Sequence, residues 1–209
     1  MIELHADRSI VIGVVADTHV PDRVNALHPD LLQELATREV DYIFHAGDCS
    51  TSCVLDELRA IAPVFAVAGN RDWFLPTLPR HRLFHINGVD LLLTHGQVNA
   101  WHYWIDKAKN FLDGYEFERY TKRLPPLAPA ASVIIYGHSH HAENRLIGGK
   151  LFFNPGSSSV AEKPDFQQSF GIIYIHPDGE FSGEIIALQG AMVRFGRWYS
   201  GDRFKNRIK

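Results

Sequence analysis

The chain has 209 residues, with 21 Lys+Arg against 24 Asp+Glu, a formal net charge of −3. Hydrophobic residues make up 45% and charged residues 22%, the balance of a globular protein, and near-neutrality excludes bulk binding to nucleic acid or an acidic membrane as the main role. The apolar stretch Ile10 to Ala16 falls far short of the roughly 20 residues a membrane-crossing helix needs. Glu3 and Asp7 stand where a signal peptide carries positive charge, so a cytoplasmic setting is expected. The unusual count is histidine, 12 against only 2 cysteines. Such a chain points to metal or proton chemistry with nitrogen and oxygen ligands. Cys49 and Cys53, four apart on an expected helix, read as small buried side chains.

In chain order, Ser9–Ala16 predicts a buried strand. Ala26–Arg38 follows with Leu27, Leu31, Leu32 and Leu35 at helical spacing. Tyr42–Ala46 is a second strand, and Ser50 or Ser52 is expected to cap a helix carrying Val54, Leu55, Leu58 and Ile61. Val64–Ala68, opened by Pro63, is a third strand. This β-α-β-α-β order predicts a parallel sheet covered by helices. His81–Ile86 and Val89–Thr94 flank Asn87-Gly88, a hairpin signal with a type I′ turn. Gly96–Arg123 is helical in pattern and dense in aromatics, and Leu124–Ala130 has a linker's composition. Ser132–Tyr136 reads as a further strand. Two more hairpins are expected, Asn144–Ile147 with Lys150–Phe153 about Gly148-Gly149, and Phe170–Ile175 with Phe181–Leu188 about Asp178-Gly179. Antiparallel strands after a parallel start predict an α/β fold of two mixed β-sheets packed face to face, flanked by helices.

Five strands run into polar clusters: Asp17-Thr18-His19, His45-Ala46-Gly47-Asp48, Gly69-Asn70-Arg71-Asp72, Thr94-His95-Gly96 and Gly137-His138-Ser139-His140. Ligands of open α/β sheets gather beyond the carboxyl ends of the strands. That edge would collect Asp17, His19, Asp48, Asn70, His95, His138 and His140, with glycines that let the backbone turn sharply. One such cluster is an ordinary solvated loop; five in this order are not. Carboxylate, imidazole and amide oxygen suit Mn²⁺, Fe²⁺ or Zn²⁺ and lack the thiolates of structural zinc.

The order D-x-H, G-D, G-N-x-D, H-G, G-H-x-H resembles the calcineurin-like metallophosphoesterases, and within them the small YfcE-like phosphodiesterases of bacteria and archaea. His45 in H-A-G-D and Asn154-Pro155-Gly156-Ser157 add to the likeness. The resemblance spans Asp17 to Ser157 on both sides of Leu124–Ala130, which makes residues 1–209 one domain and that stretch an internal loop. It implies a four-layer α/β/β/α sandwich and a site for two divalent ions, Mn²⁺ first, with Fe²⁺, Zn²⁺ or Ni²⁺ as alternatives. By the same resemblance Asp17, His19, Asp48 and His140 hold one ion. Asp48, Asn70, His95 and His138 hold the other, with Asp48 bridging. A hydroxide between the ions would attack a small phosphate ester, a diester before a monoester, a nucleotide among the candidates.

One position departs from many relatives, which have histidine third in G-N-x-D. Here Arg71 stands there, always charged and unable to act as an acid. The expectation is that Arg71 steadies phosphoryl charge, with good leaving groups preferred or an acid supplied from elsewhere, such as His141; His45 is a supporting or acid candidate. The aromatics of 96–123 are expected to pack on the sheet or form a homodimer contact, in preference to a lid that stacks on a base. The tail from Ala191 carries six basic residues against Asp202 and reads as a solvated terminus. Two rivals remain on this fold. One is a scaffold that has lost its chemistry, as a retromer subunit has. The other is a protein or nucleotide phosphatase, whose Asp-Arg-Gly after Gly-Asp is replaced here by Cys49-Ser50-Thr51-Ser52-Cys53.

Overall fold

In the computed structural model, which describes residues 1–98, 114–159 and 167–200, the strands sort into two large sheets and one hairpin. They are β1 (Ile2–Leu4), β2 (Ile10–Val15), β3 (Tyr42–His45), β4 (Val64–Ala66), β5 (His81–Ile86), β6 (Val89–Thr94), β7 (Val133–Ile135), β8 (Ala142–Ile147), β9 (Lys150–Pro155), β10 (Ser169–Ile175), β11 (Phe181–Ala187), β12 (Ala191–Arg194) and β13 (Arg197–Ser200). One sheet has the order β11-β10-β2-β3-β4, with β2, β3 and β4 parallel and β10 antiparallel to β2. The other has the order β1-β5-β6-β7-β9-β8, with β6, β7 and β9 parallel inside it. Both sheets are mixed, as expected from the sequence.

Alternation along each strand then assigns the layers, because neighbouring side chains point to opposite faces. Ile12 and Val14 of β2 meet Phe84, Leu91, Leu93, Ile135 and Phe153 in a core between the sheets. Val15 and Ile43 face the other way, against Leu31 and Leu35 of helix α1 (Leu31–Thr37) and Val54, Leu55 and Leu58 of helix α2 (Ser52–Arg59). On the far side, Leu92, Ile134 and Phe152 pack against Phe117, Tyr120 and Leu124, around the short helix Glu118–Arg123. Three cores separate four layers, helix, sheet, sheet and helix. Full burial of each such Leu, Ile or Phe contributes about 1.5–3 kcal/mol.

Several local expectations are corrected. Helix α1 begins at Leu31, not Ala26: Pro29 biases His28 away from helical backbone, and Leu27 is buried from a non-helical loop. The cap of α2 is Thr51, whose hydroxyl accepts from the Cys53 amide, in place of Ser50 or Ser52. Cys49 precedes that helix and is buried, whereas Cys53 lies exposed on it. The stretch after Leu124 forms a 3₁₀ turn, Pro125–Leu127, with Leu124 fully buried.

The tail is not simply a solvated terminus. β12 and β13 pair about Phe195-Gly196, and Trp198 donates its indole N–H to the Ala26 carbonyl at 2.8 Å. Asn25 N–H donates to the Gly196 carbonyl at 2.8 Å, and the Trp198 ring meets the buried His28 edge-on at 4.7 Å. The hairpin thus clasps the loop that runs from His19. The rest of the basic tail, 201–209, and most of the aromatic segment, 99–113, lie outside the described residues.

Candidate metal centre

The expected ligands follow the carboxyl ends of five parallel strands: Asp17 and His19 after β2, Asp48 after β3, Asn70 after β4, His95 after β6, His138 and His140 after β7. To aim them inward the loops adopt unusual backbone. Asp17 (φ 52°), His19 (50°), Asp48 (57°), His138 (72°) and His140 (57°) are all left-handed. An L-residue there costs on the order of 1–2 kcal/mol, so surrounding structure must hold it. Cross-loop hydrogen bonds do so. Asp17 N–H donates to Gly47 O, and His19 N–H to Asp48 O, each at 3.0 Å. Gly47, at φ 94°, has no room for a Cβ, which would lie 2.6 Å from the His95 ring.

The side chains converge in two overlapping groups. In the first, His140 Nε2 lies 3.4 Å from Asp17 Oδ1 and 3.2 Å from His19 Nε2. In the second, Asn70 Oδ1 lies 3.1 Å from His95 Nε2 and 3.0 Å from His138 Nδ1, while His95 Nε2 is 3.5 Å from Asp48 Oδ1. Asp48 Oδ2 is 3.9 Å from His19 Nε2, so Asp48 faces both groups. The donor atoms of Asp17, His19 and His140, and those of Asp17, Asp48 and His95, all fall within 4.8 Å of one another. His95 donates its Nδ1–H to the Ala46 carbonyl at 2.8 Å, which leaves an Nε2 lone pair pointing at Asn70 and Asp48. Asp17 Oδ1 is buried and accepts no hydrogen bond. An unsatisfied buried carboxylate oxygen is costly. A divalent cation removes that cost, and the donor set fits one.

Electrostatics agree. Burial alone would raise the Asp17 carboxyl, but His140, His95 and His19 outweigh it and hold it below the usual carboxylate range. Burial lowers His19 to about 3, so its imidazole is neutral and free to coordinate. Burial raises Asp48 to about 6, against an opposing pull from His95. His95 is disfavoured as a cation by burial, yet the Asp48 and Asp17 carboxylates push it up overall.

Supporting residues were less visible in the sequence. Asp72, 4% exposed, accepts from Asp48 N–H (2.9 Å) and Gly69 N–H (2.8 Å) on one oxygen, and from Ser50 N–H (2.7 Å) and the Cys49 thiol (3.3 Å) on the other. It ties the Asp48 loop to the Asn70 loop. Its place as the last letter of G-N-x-D was the available signal. Ser157 and Ser159 donate their hydroxyls to the Asp17 carbonyl at 2.8 and 3.0 Å, and Asn154 donates to Gly137 O at 2.9 Å. The N-P-G-S motif therefore braces both the Asp17 and the His138 loops.

The profile of the calcineurin-like phosphoesterase superfamily domain matches residues 10–178. The chain belongs to that superfamily. It is 33% identical over 186 residues to a probable metallophosphoesterase of Methanothermobacter thermautotrophicus, covering 88% of this chain and 95% of that one. A second relative described in the same words, from Methanocaldococcus jannaschii, is 33% identical over 156 residues, 75% of this chain and 72% of its own. Among solved structures, vacuolar protein sorting 29 from Cryptosporidium parvum shares the fold at 19% identity, with a TM-score of 0.65 over 88% of this chain and all of that one. The relatives support a phosphoesterase hydrolase, a family that uses divalent metals.

In this member of the superfamily, the three expected catalytic residues occupy different places. Arg71 is half-exposed on the rim, its guanidinium donating to Asp22 Oδ2 at 3.0 Å and its backbone N–H to Asp48 Oδ1 at 2.7 Å. His141 follows His140 and stacks on Tyr115, ring centroids 3.9 Å apart and nearly parallel. His45 is fully buried, accepting from Gly47 N–H at Nδ1 and facing the Thr18 hydroxyl at Nε2, 3.2 Å each. Burial lowers it to about 4. With both ring nitrogens engaged, His45 sits behind the ligands and not beside a phosphate.

Proposed function

We propose that this chain hydrolyses small phosphodiesters using two divalent ions. Asp17, His19, Asp48 and His140 hold one, and Asp48, Asn70, His95 and His138 the other. The observation that carries the reading is the buried convergence of metal-type donor atoms: Asp17 Oδ1 lacks a hydrogen bond, and the donors of Asp17, His19 and His140, and of Asp17, Asp48 and His95, lie within 4.8 Å of one another. Bound divalent ions supply charge that activates water and draws electron density from the phosphoryl oxygens.

The chain's own residues do the rest. The cross-linked loops fix the ligands before substrate arrives, so little reorganisation is needed at reaction. Arg71 binds a phosphoryl oxygen, which competes with Asp22 for the guanidinium. Water adds to phosphorus, the P–O bond to the leaving group breaks, and His141 passes a proton to the departing oxygen. Tyr115 keeps that ring in place, and His45 steadies the turn at Gly47. Nucleotides are among the esters that fit this chemistry, manganese is the first metal to test, and the cytoplasm is the proposed setting.

The test is hydrolysis of a 4-nitrophenyl phosphodiester beside the matching monoester, after metal stripping and re-addition of Mn²⁺, Zn²⁺ or Mg²⁺. Mn²⁺ is expected to restore turnover, faster on the diester. A faster monoester would replace the diester reading, and no restored turnover of either would favour the scaffold. His141→Ala should slow esters with poor leaving groups more than those with good ones; an equal loss on both would count against the role given to His141.

A further inference from the structure

A cavity of about 210 Å³ opens beside His95, between the end of β6 and the start of β5. Its wall shares His95 with the metal centre and includes Arg80, Thr94 and Gln97, with Val98 and Leu127 adding apolar surface. Nothing in the preceding assignments uses it. The Gln97 amide oxygen is buried and accepts no hydrogen bond. Arg80 is exposed at the cavity, and among the described residues it makes no ion pair and no carboxylate lines the space. The Thr94 hydroxyl donates to the Arg80 carbonyl at 3.4 Å, fixing the backbone from which that side chain rises.

These groups state what they would bind. An orphaned acceptor needs an N–H or O–H donor, since leaving it dry and unpaired is costly. A guanidinium on a wall that has histidines, His81 and His95, but no carboxylate favours a carboxylate or phosphate, which it can grip through two parallel hydrogen bonds. The volume is below the roughly 300–1,000 Å³ of sites that enclose a whole drug-sized ligand, so the cavity takes one arm of a substrate.

We propose that the cavity is the subsite for the non-reacting arm of the ester, selecting arms that carry an anionic group for Arg80 and a hydrogen-bond donor for Gln97. This rests on the phosphoesterase reading, because His95 joins the two spaces. The substrate class is therefore a phosphodiester with a second negative charge a few bonds from phosphorus.

The test uses 4-nitrobenzylphosphonate monoesters, in which a P–C bond replaces the scissile P–O bond and the ester oxygen carries the arm, bound to the Mn²⁺-loaded full chain and measured by calorimetry. One probe has an arm with an amide N–H ending in carboxylate, and the other has the methyl ester of that arm. Wild type is expected to bind the carboxylate arm about tenfold tighter or more, as charge-assisted hydrogen bonds warrant. Arg80→Ala should bring the two within about twofold, while Gln97→Leu should weaken both arms about equally, through the lost acceptor. Equal binding of the arms by wild type, or a preference that survives Arg80→Ala, overturns the subsite. Turnover of the corresponding diesters is read separately. A binding preference without turnover keeps the subsite and removes the phosphoesterase reading; turnover without a preference does the reverse.

Discussion

On the Asn70 side of the metal centre, His95 is locked by its bond to the Ala46 carbonyl, and Asp72 fastens the Asp48 and Asn70 loops with backbone hydrogen bonds. On the His19 side the bracing is thinner. Ser157 and Ser159 hold the Asp17 carbonyl, but His19 Nδ1 is buried without a hydrogen bond, 3.8 Å from Asp22. Partners behind a ligand set its orientation and basicity, and losing one typically costs metal affinity about 10–100-fold. The contrast teaches that one centre can hold a prepared place and a looser one. At neutral pH the Asn70 side should fill first, and the His19 side last.

The largest effect should come from Asp48, the residue proposed to serve both sides. Asp48→Asn is expected to lower Mn²⁺-dependent turnover more than about 100-fold, beyond the range typical of supporting partners, and to weaken both binding steps in calorimetry. Turnover close to wild type would mean that Asp48 is not shared. Asp72→Asn should act mainly on the Asn70 side, because Asp72 fastens the Gly69 and Asp48 backbone there, reducing the tighter affinity by about 10–100-fold and the weaker one less. If both steps weaken equally, the two sides are one unit.

Acid should weaken both steps and narrow the gap between them. Protons compete with metal for ligands. Asp48, proposed on both sides, protonates as pH falls through about 6, and imidazolium forms more readily at His95, on the Asn70 side alone, whose affinity for a proton is raised. His19, lowered to about 3, and Asp17, held below its usual range, keep their donor forms in the same window. Both affinities should therefore drop below pH 6, the Asn70 side more steeply. A flat profile between pH 7 and 5 would sink this account. The smallest change is expected from Ser157→Ala with Ser159→Ala, which removes two hydrogen bonds of about 1 kcal/mol each and should weaken the His19 side several-fold. An effect confined to the Asn70 side would invert the comparison.

The sequence showed the converging carboxylates and imidazoles more clearly than what holds them. Asp17, His19 and the others stood out because they follow plainly apolar strands, and the structure brings them together. The hairpin at Asn87-Gly88 was legible for a related reason: both turn residues have positive φ, 46° and 82°, which Asn-Gly favours. The hairpin β12–β13 has the same kind of turn, but with Phe195 at φ 51°, a residue that gives no such signal. Asp72 was seen as part of a motif, yet its four donors come from residues up to 24 positions away, which spacing alone does not reveal. The late start of α1 was hidden because Leu27 keeps helical spacing while being buried by a loop.

That C-terminal hairpin has a consequence for the order of folding. Trp198 and Ala26, which it joins, stand 172 positions apart in the chain. Contacts of such long range form late, after nearer ones have offset the entropy of closing the loop. The segment after Asp17 and His19 is therefore among the last to be fastened as the chain folds.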